Sequence, residues 1–596
     1  ESRTRLSQLV RRLSTLGEFT HPSSLTMATA SPTSRVSQPH LEHLMKRVPL
    51  FALWFIIILT SARGEYNVDD GHSKNLLDVI VSGMRASDRQ AFLIDTRRRL
   101  PSASAALAPI LATLPRRADG RLEVASARYA LHHYFMRQFS WRVKGLDVAG
   151  SHWNSSSLAN VSSLQKLPAS VRHGISDYLK GSGMSDQDVR ALAVAIQKLA
   201  SDNSEDRLRA VYNLISYPVD VEVNYKFAEY FVDLYTGTQI LGMDLAKEDP
   251  NKLMRFVRKM SMFYPRWQQF QNFTRDVLAA NTKAALGSHV QQPPMAFAQI
   301  SQVLRTIEER HGSWRSFECL ELKSGLMEVE EPGTGRVRLS SFYGKALNGT
   351  WQFSETSDYL RQLGCLDESE PSSPRVIIAN YINSHSNCIS SNGHFSVCCV
   401  SECESLYGHI EGKLGTPTAS PEELGSIVSS LPSSTVNAPR ELSPVMMQRL
   451  RAIAAEDGGS IPIYGRLFAQ WMHHAYPHEC EFPHISGTTS PKALQELTLQ
   501  EQVQIMTNKS IMELHASRKE RRNAPVHGAP WLLQEELPTN LAVATTPVGW
   551  MNVQLVVASS AFAVTILSLL HTAARASRRL SARAPPCVKD VKGIDV

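Results

Sequence analysis

Residues 458–474 read GGSIPIYGRLFAQWMHH, which is a glycine turn, a short alternating apolar segment and an aromatic helix. The same order recurs at 119–135 (DGRLEV, then ARYALHHYF) and at 334–347 (TGRVRL, then SSFYGKAL). Repeated helix–loop–helix units predict a mainly α fold with few short strands. Three unrelated glycine turns between helices are the alternative.

In form this unit resembles the EF-hand, where a loop glycine makes the sharp turn and an apolar residue two positions later joins paired loops. With the glycines at loop position six, the twelfth position should hold a bidentate glutamate if calcium binds. It holds small residues instead: Ser126, Ser341 and Gly465. We therefore predict degenerate EF-hand-like units that serve packing or partner binding, without calcium.

Further signals mark single elements of the body. Ser185 with Asp188 forms a capping box, and Ser420-Pro421 followed by two acids is a strong helix start. The best candidate strand is RVIIANY at 375–381. We divide the body into a helical region at 65–300 and a helical, cysteine-containing region at 301–517.

The N-terminal part contains an export signal. Residues 1–44 are predicted to be a disordered leader. Met45-Lys46-Arg47 then precedes the apolar run VPLFALWFIIILT and small residues, a pattern typical of a signal peptide at 45–64. An uncleaved signal anchor is the alternative.

A second apolar run, VQLVVASSAFAVTILSLL at 553–570, is long enough to span a bilayer. Trp550 precedes it and arginines follow it, so we predict a transmembrane helix at 549–571 in contact with membrane lipid. We then predict that residues 518–548 form a juxtamembrane stalk and that residues 572–596 form a basic cytosolic tail. Type I topology in the secretory pathway or at the cell surface follows, and a C-terminal core helix is the alternative.

The overall composition is that of a globular protein, with 43% hydrophobic and 20% charged residues. The net charge of +7 is concentrated at the two ends of the chain. A basic groove on the folded body is therefore not indicated, and we predict no nucleic-acid partner.

The predicted luminal part carries five N-x-S/T sequons, at Asn154, Asn160, Asn272, Asn348 and Asn508. It also carries seven cysteines: Cys319, Cys365, Cys388, Cys398, Cys399, Cys403 and Cys480. In an oxidising compartment these should mostly pair and leave one over. The connectivity stays open, although the adjacent Cys398 and Cys399 are poor partners for each other.

Histidines concentrate in WMHHAYPHECEFPH at 471–484. Imidazole and thiolate ligands would suit zinc or copper, with the candidates His473, His474, His478 and His484. The spacing fits poorly because Pro477 interrupts the helix. We therefore expect no cofactor, with a metal site as the alternative and a staple from Cys480 to the 388–403 region as the simpler interpretation.

Four stretches carry a resemblance: 126–154, 333–343, 386–406 and 465–484. They resemble an uncharacterised family of predicted membrane proteins from dinoflagellates and related alveolate protists. The resemblance covers roughly residues 70 to 490 and implies one folded unit with a signal peptide and a C-terminal anchor. No activity is established for that family, so it implies no catalytic residue.

These observations predict a single-pass type I membrane glycoprotein whose helical, disulfide-containing ectodomain acts in binding or structure toward a protein partner. The sequence assigns no catalytic residue and favours a non-enzyme. The alternative is a luminal enzyme that depends on a metal or on an unpaired thiol.

Overall fold

The computed structural model describes residues 76–537, with gaps at 147–160, 180–182, 246–248, 287–293, 348–354, 391–393, parts of 493–508, 518–529 and a few shorter positions. The predicted leader, signal peptide, transmembrane helix and tail lie outside these residues. In the part of the chain that is described, no helix has both the length and the apolar character needed to cross a membrane.

Helices dominate the described residues, so the mainly α prediction is confirmed. In chain order they are α1 (Leu76–Ser82), α2 (Ala86–Thr113), α3 (Val124–Phe139), α4 (Ala169–Leu179), α5 (Asp186–Leu214), α6 (Tyr225–Ile240), α7 (Pro250–Arg258), α8 (Met260–Phe263), α9 (Trp267–Leu286), α10 (Phe297–Met327), α11 (Leu339–Leu347), α12 (Ser357–Gln362), α13 (Ile378–Ile382), α14 (Glu402–Leu414), α15 (Pro421–Ser429), α16 (Pro444–Glu456), α17 (Arg466–Ala475) and α18 (Lys509–Ser517).

The strands are short and form three small antiparallel sheets. They are β1 (Trp141–Val143), β2 (Arg336–Arg338), β3 (Leu366–Asp367), β4 (Arg375–Ile377), β5 (Ile389–Ser390), β6 (Phe395–Val397), β7 (Thr418–Ala419) and β8 (Ile461–Pro462). The strand orders are β1-β6-β5, β2-β4-β3 and β7-β8.

The local helix signals are confirmed. Ser185 and Asp188 form both hydrogen bonds of a capping box at the start of α5, and Ser420 caps α15 with Pro421 in its first turn. The strand predicted at 375–381 is only partly correct. β4 ends at Ile377 because the chain enters the helix α13 at Ile378.

The glycine loops do not pair with one another. Gly120, Gly335 and Gly459 each have positive φ and each sits in a turn between helices, but the partner of each loop lies elsewhere. Leu122 exchanges two 2.8 Å backbone hydrogen bonds with Met184. Similarly β2 pairs with β4, and β7 pairs with β8. The helix–loop–helix units therefore pack as pairs, each joined by a short bridge between loops.

A fourth pair joins the loop before α6 to the loop before α10. Val223 and Met295 exchange backbone hydrogen bonds of 3.0 and 2.7 Å, and both side chains are buried. The sequence pattern required a glycine turn before the apolar segment. Neither of these loops has a glycine at that position, so the sequence did not predict this pair.

The predicted boundary between residues 300 and 301 falls inside α10. The regions on either side also share a core, because β1 pairs with β6 and the aromatic ring of Trp141 stacks on Phe395 at 4.0 Å. All described residues belong to one compact unit. The two predicted regions are therefore interleaved parts of one body.

Candidate functional site

The candidate site is a cavity of about 340 Å³ between α3, the start of α14, the segment after α13 and the segment around α17. Ionisable and aromatic side chains line it together with a few aliphatic ones such as Leu363 and Ile485. Those that matter for its chemistry are His132, His133, Arg142, His385, Glu404, Glu481, Tyr129, Tyr407 and Phe482. A concave site with several convergent ionisable groups is the usual setting for ligand binding.

A disulfide fixes two carboxylates at this cavity. Cys403 and Cys480 are bonded, with their Cα atoms 4.8 Å apart. Glu404 and Glu481 are the next residues along the chain from the two half-cystines, and both line the cavity. The bond therefore brings together two carboxylates that are far apart in the sequence.

Glu404 is held by two side chains of α3. Its Oε1 lies 2.6 Å from His133 Nδ1, and its Oε2 accepts a 2.9 Å hydrogen bond from Arg137 Nε. Arg137 also donates to the fully buried Glu411, at 2.8 Å through its second terminal nitrogen. Burial alone would raise the pKa of Glu404, but His133 and Arg137 outweigh it and hold that pKa at about 2. Glu404 is therefore a fixed anion.

Glu481 is in the opposite situation. Its side chain is exposed to the cavity, and among the described residues it has no side-chain hydrogen bond. The surrounding protein desolvates the carboxylate, and the negative charge of Glu404 adds to this effect. Together they raise the pKa of Glu481 to about 7 against the opposing charge of Arg142. Glu481 can therefore gain or lose a proton near neutral pH.

The backbone on both sides of Glu481 is rigid. Cys480 is fixed by its disulfide, and the buried side chain of Asn380 clamps the next residue. Its Oδ1 accepts from Phe482 N at 2.7 Å, while its Nδ2 donates to Phe482 O at 3.0 Å. The structure thus holds Glu481 in place through its backbone while leaving its carboxylate free of partners. Such positioning is typical of functional side chains.

Imidazole side chains complete the polar wall. His132 Nδ1 and His133 Nε2 are buried and have no hydrogen-bond partner among the described residues. Burial, aided by the charge of Arg142, lowers the pKa of His132 and of His385 well below the ordinary value. The nitrogens His132 Nδ1 and His133 Nε2 can therefore form hydrogen bonds with a polar ligand.

The predicted disulfide bonding is present. The bonds are Cys319–Cys399, Cys388–Cys398 and Cys403–Cys480, and Cys365 is a free cysteine in the described residues. Cys365 is fully buried, and burial raises the pKa of its thiol well above the ordinary value. Because the thiolate is the nucleophile, this environment disfavours thiol chemistry at Cys365.

The four histidines named as alternative metal ligands do not converge. α17 ends at Ala475, so two of them lie beyond the helix. Each histidine contacts a different part of the protein. His473 Nδ1 lies 2.7 Å from Cys480 O, and the ring of His474 lies 5.6 Å from that of Trp531. His478 Nε2 lies 2.8 Å from Glu330 Oε2, and His484 Nε2 lies 2.7 Å from Gly364 O. Within the described ranges, no three or more His, Cys, Asp or Glu side chains form a group that could hold a metal ion.

Residues 530–537 contact α17 and belong to neither a helix nor a strand. Arg466 donates to Leu532 O at 2.8 Å and to Gln534 O at 2.6 Å, and Glu535 Oε1 accepts from Leu467 N at 3.0 Å. This docked segment, which we call the strap, corrects part of the stalk predicted at 518–548. Its prolines and charges suggested a linker. Instead, the Arg466 guanidinium binds its backbone carbonyls, and the Glu535 carboxylate caps the start of α17.

Of the five sequons, only Asn272 falls among the described residues. It is exposed on α9, where a glycan would not meet the core. The other four, at Asn154, Asn160, Asn348 and Asn508, lie outside the described residues.

The sequence reasoning named neither Glu404 nor Glu481. One signal was available: both belong to a Cys-Glu dipeptide within the stretches quoted for the resemblance, and a third such stretch supplies His132 and His133. Comparison of the chain with protein-family models, with curated proteins and with solved structures finds no match.

Proposed function

We propose that this chain is a membrane-anchored glycoprotein of the secretory pathway whose helical ectodomain binds a small polar ligand in the cavity. One observation carries the proposal: a cavity of about 340 Å³ is walled by Glu481, whose carboxylate has no side-chain hydrogen bond within the described structure, and by His132 and His133, of which the buried Nδ1 and Nε2 atoms, respectively, have no hydrogen-bond partner there. Leaving such groups unpaired costs stability unless a ligand or water completes their hydrogen bonds.

The compartment is supported by the three disulfides, which form and persist in oxidising environments. The apolar run at 553–570 and the arginines after it support the anchor and a cytosolic C-terminus. The paired helix–loop–helix units then form a scaffold. In one of these pairs Arg121 lies 3.3 Å from the buried Asp188, so a guanidinium from the loop compensates the charge of a carboxylate in the first turn of α5.

Topology can be tested by protease protection in sealed vesicles that carry the full chain with a C-terminal tag. We expect added protease to remove the tag and leave a protected fragment containing residues 76–537, because the basic tail should face outward. An endoglycosidase should lower the mass of that fragment. Detergent should make the whole chain digestible. A protected tag, or a body digested without detergent, would contradict the proposed orientation.

Ligand binding can be tested by filling the cavity. Ala469 lines it on α17, so Ala469→Trp should occupy the space, whereas Ala455→Trp on the exposed face of α16 should not. Sugars, amino acids and nucleosides are screened for a rise in melting temperature. A true ligand at one hundred times its Kd stabilises by about 2.7 kcal/mol. We expect that rise in the wild type and in Ala455→Trp but not in Ala469→Trp; equal responses in all three would refute the cavity as the site.

A metal-dependent or thiol-dependent luminal enzyme, the alternative from the sequence, gains no support from this geometry. The candidate histidines are separated and engaged elsewhere, and the free thiol of Cys365 is buried away from solvent.

A further inference from the structure

We propose that the cavity is a hydrolytic site for glycosides, in which Glu481 is the general acid–base group and Glu404 is the carboxylate nucleophile. This inference rests on the proposed function, because it gives the bound ligand a chemical class and the site a reaction. It differs from both the metal and the thiol alternatives, since two side-chain carboxylates carry the chemistry.

The first support is position. Because Glu404 and Glu481 follow the two halves of one disulfide whose Cα atoms are 4.8 Å apart, their own Cα atoms lie within about 12 Å of each other. Both line the same cavity. Two carboxyl groups that flank one scissile bond are the common requirement of most glycoside hydrolases.

The second support is the difference between their surroundings. Glu404 has hydrogen bonds to both oxygens, from His133 and Arg137, whereas Glu481 has no side-chain partner in the described residues. This difference separates the pKa values of the two groups, with Glu404 at about 2 and Glu481 at about 7. Carboxylates whose pKa values are driven apart by their environments mark the acid and the anion of such a site.

The third support is the lining, which suits a sugar. Tyr129, Tyr407 and Phe482 offer aromatic rings to the apolar C–H faces of a pyranose. Asn383, Ser384 and the unpaired histidine nitrogens offer hydrogen bonds to its hydroxyl groups. Cationic and anionic side chains are both present, so the cavity has no strong preference for one sign of charge.

The reaction balances with water as the only co-substrate. A Glu404 oxygen bonds to the anomeric carbon, the bond from that carbon to the glycosidic oxygen breaks, and the Glu481 proton moves to the departing oxygen, which leaves as an alcohol. Glu481 then takes a proton from water. The water oxygen bonds to the anomeric carbon, and the ester bond to Glu404 breaks. Both carboxyl groups return to their starting states.

Each carboxylate matches its step. The guanidinium of Arg137 and the contact with His133 stabilise Glu404 as an anion, so it leaves readily when the ester breaks. Glu481 must donate and then accept a proton, which its unpaired carboxylate and rigid backbone allow.

The test uses the purified full chain and a set of aryl glycosides of glucose, galactose, mannose and N-acetylglucosamine in both anomeric forms. Each sugar is supplied with two leaving groups, 4-methylumbelliferone and 2,4-dinitrophenol. The variant is Glu481→Gln, and the matched control is Glu423→Gln, which changes an exposed glutamate on α15. Equal melting temperatures of the wild type and Glu481→Gln would show that the variant folds.

We expect Glu481→Gln to lower kcat/KM on the umbelliferyl glycoside by about 10² to 10⁴, the usual contribution of general acid catalysis. The loss on the dinitrophenyl glycoside should be much smaller, because that group departs without a proton, and azide should restore its turnover as a glycosyl azide. A merely structural role would not distinguish the leaving groups. Glu423→Gln should behave as the wild type.

Two results would overturn the inference. One is full activity of Glu481→Gln on both leaving groups. The other is no hydrolysis of any glycoside by the wild type. If a sugar still raises the melting temperature in an Ala469-dependent way, the proposed binding function stands and only the hydrolytic inference fails. If no ligand does so, the binding function fails as well.

Discussion

A chain in which Cys403→Ser and Cys480→Ser remove one disulfide should lose about 4 to 5 kcal/mol of unfolding free energy. The two cysteines are separated by 77 positions, and releasing a loop of that length adds an entropy to the unfolded state that is worth roughly this much at 25 °C. The same substitution frees the backbone at Glu404 and Glu481. Ligand stabilisation should therefore disappear together with the lost stability.

The matched control is the pair Cys388→Ser and Cys398→Ser. Their separation is only 10 positions, so the same entropy argument gives a loss of about 3 kcal/mol. Denaturant unfolding of both double variants measures the difference, provided that the unfolding free energy falls with denaturant concentration at the same slope in each. Equal losses, or a larger loss in the control, would show that loop closure does not govern stability here.

Replacing Arg137 with methionine should cost about 3 to 5 kcal/mol. This guanidinium lies between Glu404 and Glu411, and the Glu411 side chain is fully buried. Removing one member of a buried ion pair leaves an uncompensated charge, which is far more costly than the absence of the whole pair. Arg451→Met is the control, because Arg451 forms only an exposed pair with Glu422 and should change stability by at most about 1 kcal/mol.

Arg137→Met should also change how the unfolding free energy depends on pH in acid. The pKa of Glu404 is about 2 in the folded chain, below the ordinary value of 4.5. Its ionisation thus stabilises the fold above pH 4.5, and that contribution is lost as the pH falls from 4.5 towards 2. Unfolding free energies measured across this window should show a shallower decline in Arg137→Met. An unchanged decline would mean that Arg137 does not hold the Glu404 anion.

The positions of three loops between helices could be predicted from glycines in the sequence. Gly120, Gly335 and Gly459 all have the positive φ that favours glycine, and each marks a loop between helices. Which loop pairs with which had no such mark. Met184 follows Gly183, which also has positive φ, but nothing local indicates that Leu122 forms a backbone bridge with Met184. Pairing of loops is a tertiary property, and a local pattern does not contain it.

The site was hidden for a similar reason. The Cys-Glu pairs at 403–404 and 480–481 acquire meaning only when the two cysteines are joined, and six paired cysteines allow 15 connectivities. The histidine-rich stretch drew attention to His473 and His474, which lie in the last turn of α17. The carboxylate that faces the cavity, Glu481, lies only a few positions further on.

The strap sets a limit on reach. Residue 537 is its last described position. If residues 549–571 form the proposed membrane anchor, the chain between the two spans at most about 40 Å even when fully extended. Because Glu536 on the strap lines the cavity, the opening would stay within a few nanometres of the bilayer surface. Glycolipid head groups and the glycans of neighbouring membrane proteins would then lie within range, while the body could not extend far into the surrounding medium.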